Sequence, residues 1–253
     1  MKLLVSVRSV EEALLAAAGG ADFIDLKEPG AGALGGLAIE VIAAIVAALR
    51  RHGSALPISA TIGDVPMSES ARITACVAAV GACGVDYVKV GIERVPQARA
   101  VLDALARSGT AIVPVFIADQ GLAAADVAHA CALGFPGVMA DTADKHAGSL
   151  FDALPMDELR RFVAVVREAG AMVGLAGALR LEHLPLLSAL APDFVGFRTA
   201  VCVGDRSSAL DPQRLSALTT LMHRHTALVS PHQASPQRSS PSSKARTRPS
   251  SPW

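Results

Sequence analysis

Short apolar runs and longer amphipathic stretches alternate along the whole of the first 229 residues. Runs rich in Val, Ile, Leu and Phe read as buried strands at 3–7, 23–27, 58–62, 87–90, 112–117, 138–141, 172–176 and 194–198. Between them, apolar positions recur at helical spacing over 9–18, 39–51, 70–82, 96–108, 123–133, 157–169, 183–190 and 212–223. Glycines close several of the helices, as in Ala18-Gly19-Gly20, Ser108-Gly109 and Ala169-Gly170, and Ser9 to Glu12 has the spacing of a capping box. Eight strands alternating with eight helices predict a single (β/α)8 TIM barrel over residues 1–229, with a doubly wound open sheet as the alternative.

From Ser230 the pattern stops. The last 24 residues hold eight Ser, five Pro and four basic residues with no acid. That composition has almost nothing to bury, and 230–253 is expected to be a disordered tail, dangling Trp253 included. The remainder carries 19 basic and 23 acidic residues, so its net charge is −4 and it offers little to a nucleic-acid backbone. No apolar run reaches the roughly 18–20 residues of a membrane span, and the N-terminus makes a poor signal peptide; a cytoplasmic location is expected. Cys76, Cys83, Cys131 and Cys202 are scattered without a CxxC motif, and the first two, seven apart in a helical pattern, read as small core residues. No metal site, Walker loop or dinucleotide fingerprint is present, so neither a metal nor a cofactor is expected.

In this fold the chemistry belongs at the carboxyl ends of the strands. Side chains alternate along a strand, which directs Ile24 and Leu26 toward the helices and Asp25 and Lys27 into the barrel. The same alternation turns Lys89 and Asp141 inward, with Lys145 in the loop after Asp141. Ser59, Thr61 and Asp64 add polar groups from the third strand and the loop after it. Lysine usage sharpens the pattern: against 18 arginines the chain has five lysines. Lys2 is terminal and Lys244 is in the tail, so all three that remain converge on the barrel mouth. Arginine holds an anion but stays protonated, whereas a lysine with a lowered pKa serves as nucleophile or base. The alternative is structural pairing of these lysines with Asp25, Asp64 and Asp141. Burying that much charge is costly, and three lysines at one mouth favour catalysis.

A phosphate site is expected in the loops after the seventh and eighth strands. There, Gly177 and Gly204 would let backbone N–H groups approach phosphate oxygens, and Arg198 or Arg206 would neutralise the charge. His146, beside Lys145, reads as a solvated loop residue. These residues support a Schiff-base enzyme acting on a phosphorylated carbonyl compound, without choosing among aldol cleavage, condensation and isomerisation.

The segments MKLLVSVRSVEEA, GGADFIDLKEPGAGALG, SATIGDVP, DYVKVG, DTADKHAGSLFD, GLAGAL and DFVGFRTAVCVGDR resemble, in order, those of the (5-formylfuran-3-yl)methyl phosphate synthase family. The resemblance runs from Met1 to about His223. It implies a (β/α)8 barrel that joins two glyceraldehyde 3-phosphate molecules into a furan aldehyde phosphate, in methanofuran or methylofuran biosynthesis. By position, it implies that Lys27 forms the Schiff base and Lys89 accepts a proton, and that Asp25, Asp141 and Lys145 are active-site residues. The last loop departs from the family pattern: Thr199 and Val203 stand where a Gly-containing, Lys-bearing segment is usual. A phosphosugar aldolase using the same lysines and a non-catalytic phosphometabolite-binding barrel are the rival readings. The expected partners are a triose phosphate and, through the Ala-rich helices, a second copy of the chain; nucleic acid and membrane are not expected.

Overall fold

A computed structural model describes residues 1–32, 34–145 and 147–229, the segment 225–229 by its backbone alone. His146 and the tail 230–253 lie outside the described residues. The strands are β1 (Lys2–Val7), β2 (Phe23–Leu26), β3 (Ile58–Thr61), β4 (Tyr87–Ile92), β5 (Ile112–Ile117), β6 (Gly137–Asp141), β7 (Met172–Leu175) and β8 (Phe194–Phe197). The helices are α1 (Val10–Ala18), α2 (Ile39–Arg51), α3 (Ser70–Gly81), α4 (Ala98–Ala106), α5 (Ala124–Ala132), α6 (Leu150–Ala153), α7 (Met156–Glu168), α8 (Leu184–Leu190) and α9 (Pro212–Val229). Every strand runs parallel to its neighbours, and β8 returns to β1 with Leu3 opposite Val195, closing the barrel. That pairing excludes the open sheet.

The helix-facing side chains of the strands, such as Val5, Ile24, Leu26, Ile58, Val88 and Val195, are fully buried against the apolar faces of the helices. A second, smaller core fills the barrel itself: Leu4, Phe23, Val113, Val115, Met139 and Phe194, with Phe23 and Phe194 ring centroids 5.4 Å apart. Gly174 makes room for it, since a Cβ there would stand 2.3 Å from the Phe194 ring. The barrel interior is therefore apolar at its base and polar one layer higher, where Ser6 lies in register with Asp25 and Asp25 with Ser59.

The differences from the sequence expectation concern detail, and β4 for one runs on to Ile92. The short helix α6 and the 3-10 turns Ala118–Gln120, Leu181–His183 and Thr199–Val201 are too brief to leave a periodic pattern. The strands end one residue early at Lys27, Ile62, Ala176 and Arg198, although the Lys27 N–H still donates to the Val7 carbonyl (3.0 Å). Only half of the capping box forms: the Glu12 N–H donates to Ser9 Oγ (3.3 Å), but the Glu12 carboxylate accepts from the Arg8 N–H and from Arg198. Cys76 and Cys83 are half-buried at the margin of the core rather than inside it.

Candidate active site

Lys27, Lys89, Lys145, Asp25 and Asp141 line one cavity at the carboxyl ends of the strands. Its walls include Ser6, Gly177, Arg198, Thr199 and Arg206, and its volume is about 610 Å³ with the open mouth included. Strand alternation brings the charged groups together from β2, β4 and β6, and the loop after β6 adds Lys145. Lys27 is 6% exposed, and Lys89, Asp25 and Asp141 are each 3% exposed, so the protein and not water must satisfy them.

It does so in two connected sets. Lys89 Nζ lies 2.8 Å from Asp25 Oδ1, which also accepts from Ser59 Oγ (2.6 Å), while Ser6 Oγ donates to Asp25 Oδ2 (3.1 Å). Asp141 bridges the other two lysines: Lys27 Nζ is 3.3 Å from Oδ2, and Lys145 donates to Oδ1 and to the Thr142 carbonyl. The Thr142 N–H donates to the same Oδ1 (2.8 Å). Burial pushes both carboxyls up, but the neighbouring ammonium groups and hydrogen bonds outweigh it. Asp25 is held below its ordinary value by Lys89 and Lys27, and Asp141 is brought to about 2 by Lys145 and Lys27. Lys145 is lowered as well, but there the shift disfavours the charged form. Burial lowers its pKa, and the Lys27 charge adds to that more than Asp141 can reverse.

These shifts predict how stability follows pH. A carboxyl whose folded pKa lies below its unfolded value binds fewer protons in the folded state, so its contribution is complete above about pH 4 and is lost as pH falls through the folded pKa. The denaturation midpoint is expected to hold level from neutral pH down to about 4 and to fall from there toward about 2, the value reached at Asp141. Urea titrations across that range check it; a midpoint unchanged at the acid end would show that the carboxylates are not held as described.

The expected acids are two rather than three in the cavity. Asp64 is exposed, and its Oδ1 instead accepts from the Leu34 N–H (3.0 Å), anchoring the loop after β2. Thr61 likewise donates to the Gly35 carbonyl (2.9 Å). Ser6, on β1, escapes the sequence reading because an isolated Ser in an apolar run carries no signal until β1 is laid beside β2.

Of the residues expected at a phosphate, Gly177 and Arg206 line the cavity, whereas Gly204 is exposed and outside it. Arg198 lines the cavity too, but its N–H donors are all spent on the protein. Nε donates to the Arg206 carbonyl (2.9 Å), Nη1 to the Ser6 carbonyl (3.1 Å) and Glu12 Oε2 (2.5 Å), and Nη2 to Glu12 Oε1 (3.0 Å) and the Ser208 carbonyl (2.7 Å). It is a clamp that ties the β8 loop to β1 and α1. The Glu12 half of this pair carries no distant signal in the sequence, because its spacing from Ser9 already accounts for it. Donors for an anion lie instead in the backbone: among the described residues, the N–H groups of Gly177, Ala178, Thr199 and Ala200 have no acceptor. Gly177 at φ 117 and Ala178 at φ 43 are both left-handed, and the latter costs on the order of 1 kcal/mol for a residue with a Cβ. A Cβ on Gly177 would stand 2.9 Å from Thr142, which packs the β7 loop against the lysine site.

The model of the 4-HFC-P synthase family matches residues 3–219. The chain belongs to this family. It is 37% identical to the (5-formylfuran-3-yl)methyl phosphate synthase of Archaeoglobus fulgidus, covering 88% of this chain and 100% of that one. With the synthase of the same name from Methanopyrus kandleri the identity is also 37%, over 81% and 92% of the two chains. Among solved structures it is similar to phosphoribosyl anthranilate isomerase from Thermus thermophilus, with a TM-score of 0.61 at 20% identity over 88% of this chain and 99% of that one. A second similar structure is 3-keto-L-gulonate-6-phosphate decarboxylase from Vibrio cholerae, with a TM-score of 0.60 at 13% identity over 88% and 98%. Those two likenesses establish the barrel fold alone. Membership of a synthase family makes this an enzyme family's barrel. No helix among the described residues is long and apolar enough to cross a membrane.

Proposed function

We propose that this chain condenses two molecules of glyceraldehyde 3-phosphate into (5-formylfuran-3-yl)methyl phosphate through a Schiff base on Lys27, as a step of methanofuran or methylofuran biosynthesis. The observation that carries the proposal is the meeting of three lysines, two of them buried, and two buried carboxylates in one cavity of a barrel from this synthase family.

The product's skeleton constrains the chemistry. It divides into two three-carbon chains in one way only. One triose keeps its phosphate and supplies the phosphomethyl carbon, ring carbon 3 and ring carbon 2. The other loses its phosphate and supplies the formyl carbon, ring carbon 5 and ring carbon 4. The new carbon–carbon bond therefore joins the central carbon of the first triose to the terminal carbon of the second. For its central carbon to be attacked, the first triose must react as its ketone isomer, reached in the same site by moving a proton from carbon 2 to carbon 1.

Lys27, beside Asp141, adds to the aldehyde of the second triose and releases water as the iminium forms. The iminium acidifies carbon 2, and Lys89, held by Asp25, takes that proton once its amine has given up its own to solvent. The electron pair left behind forms a double bond to carbon 3 as the carbon–oxygen bond breaks and phosphate departs. The enol so formed is nucleophilic at its terminal carbon, which adds to the ketone of the first triose. Lys145, a stronger acid than an ordinary ammonium, is suited to protonating the ketone oxygen. Water hydrolyses the iminium, ring closure follows, and loss of two waters yields the aromatic furan. Two C3H7O6P thus become C6H7O6P, H3PO4 and two H2O, with no net oxidation and no demand for a redox cofactor.

Incubation of the protein with glyceraldehyde 3-phosphate alone is the test. A furan aldehyde chromophore with one inorganic phosphate released per two trioses is the expected result. An acyclic sugar phosphate with no phosphate released would instead identify a Schiff-base aldolase, and absence of any product would leave a binding barrel.

A further inference from the structure

Each cation that reaches the lysine cavity has a carboxylate partner, with one exception among the described residues. Lys27 and Lys145 share Asp141, Lys89 holds Asp25, and Arg198 holds Glu12. The guanidinium of Arg206 is half-buried at the mouth and makes neither an ion pair nor a hydrogen bond with a described residue. It is nevertheless placed, because its own carbonyl accepts from Arg198 Nε (2.9 Å) at the end of the five-donor clamp.

Arg206 also borders a second pocket at the rim, shared with Pro29, Gly30, Gly32, Lys145 and Ser207. None of Gly177, Ala178, Thr199 and Ala200, whose N–H groups have no acceptor among the described residues, borders that rim pocket. The rim's carboxylates are turned to local work. Asp205 Oδ1 accepts from the Ser207 and Ser208 N–H groups, Asp144 Oδ1 from the Ala147 N–H (3.2 Å), and Glu28 Oε1 from the Gly30 N–H (2.9 Å). The mouth therefore offers donors of two kinds: neutral backbone N–H groups on the loops after β7 and β8 that border the cavity alone, and a guanidinium that also reaches the rim pocket.

We infer that the enzyme holds its two phosphates in two separate subsites, and that Arg206 forms the second, over which the departing phosphate sits. The inference rests on the reading that two triose phosphates react and one phosphate leaves. A retained phosphate needs fixed geometry through every step, which rigid backbone donors supply. A departing phosphate gains negative charge as its bond to carbon breaks, and a guanidinium poised over it stabilises that charge, most effectively in a partly desolvated site. The rim position also gives the freed phosphate a route to solvent past the loop after β2.

Calorimetric titration of the full chain with inorganic phosphate tests the inference without requiring turnover. The expected result is two phosphates bound per chain, and one in Arg206→Gln, which removes no ion pair or hydrogen bond between the side chain and a described residue. In steady-state assays, the same variant should resist inhibition by phosphate by about tenfold or more, the loss expected for one charge-assisted contact. A single phosphate bound to the unaltered protein, or two still bound to Arg206→Gln, would overturn the second subsite. The two readings fail separately: two phosphates bound with no furan formed would sink the proposed reaction alone, and furan formed with one phosphate bound would sink the subsite alone.

Discussion

Lys27→Arg is expected to abolish furan formation, lowering turnover by about a thousandfold or more, in line with the loss of a covalent nucleophile from a cooperating set. Arginine keeps the positive charge beside Asp141, so the buried network stays neutralised and the fold is retained. What it lacks is an amine that can lose its proton and add to a carbonyl. Borohydride reduction in the presence of glyceraldehyde 3-phosphate should attach a triose-derived mass to the Lys27 peptide of the natural protein and leave Lys27→Arg unmodified. Turnover within tenfold of the natural protein, or an adduct mapped to Lys89 or Lys145, would refute the assignment of the nucleophile. Lys145 makes the second outcome a real contest, because it lines the same cavity and burial lowers its pKa.

Asp141→Asn is expected to damage both stability and activity. Asp141 is the shared counter-charge of Lys27 and Lys145, and the other buried carboxylate, Asp25, is in contact with Lys89. Its loss leaves two ammonium groups in one enclosed cavity without compensation, a change that costs on the order of 3–5 kcal/mol. The penalty should shrink as pH rises. Lys145, already pushed down by burial, would be pushed further, so the unfolded state would bind more protons than the folded one and stability would climb with pH. Denaturant titrations at neutral and alkaline pH read this directly. Turnover should fall by about a hundredfold or more, as Lys27 loses the contact that orients it. A variant as stable as the parent at neutral pH would mean that solvent, not Asp141, carries the compensation.

Much of the fold was legible in the chain because period-two and helical spacing are local properties. The inward set Asp25, Lys27, Lys89 and Asp141 could be read strand by strand from alternation alone, and the structure places all four in the cavity. Legibility ended where a group's partner came from a distant segment. Arg198, beside glycine-bearing loops, looks like an anion binder, yet Glu12, 186 residues away, consumes it. Asp64 follows its strand as Asp141 ends its own, but a turn of the loop after β2 brings the Leu34 N–H to it and removes it from the cavity. Gly204 lies outside the cavity for a similar reason: the loop after β8 holds it at the surface.

Local pattern was enough to establish the alternation of strand and helix, which side chains face inward on each strand, and the family to which the chain belongs. Each of these depends on neighbours within a few residues or on the order of motifs. Closure of the sheet, the division of the lysines between Asp25 and Asp141, and the lack of an ion pair for Arg206 among the described residues while Arg198 is fully bound emerged only in three dimensions. Those outcomes depend on which charges meet once β8 lies against β1. Electrostatic pairing acts over a few ångströms of space and is indifferent to separation along the chain.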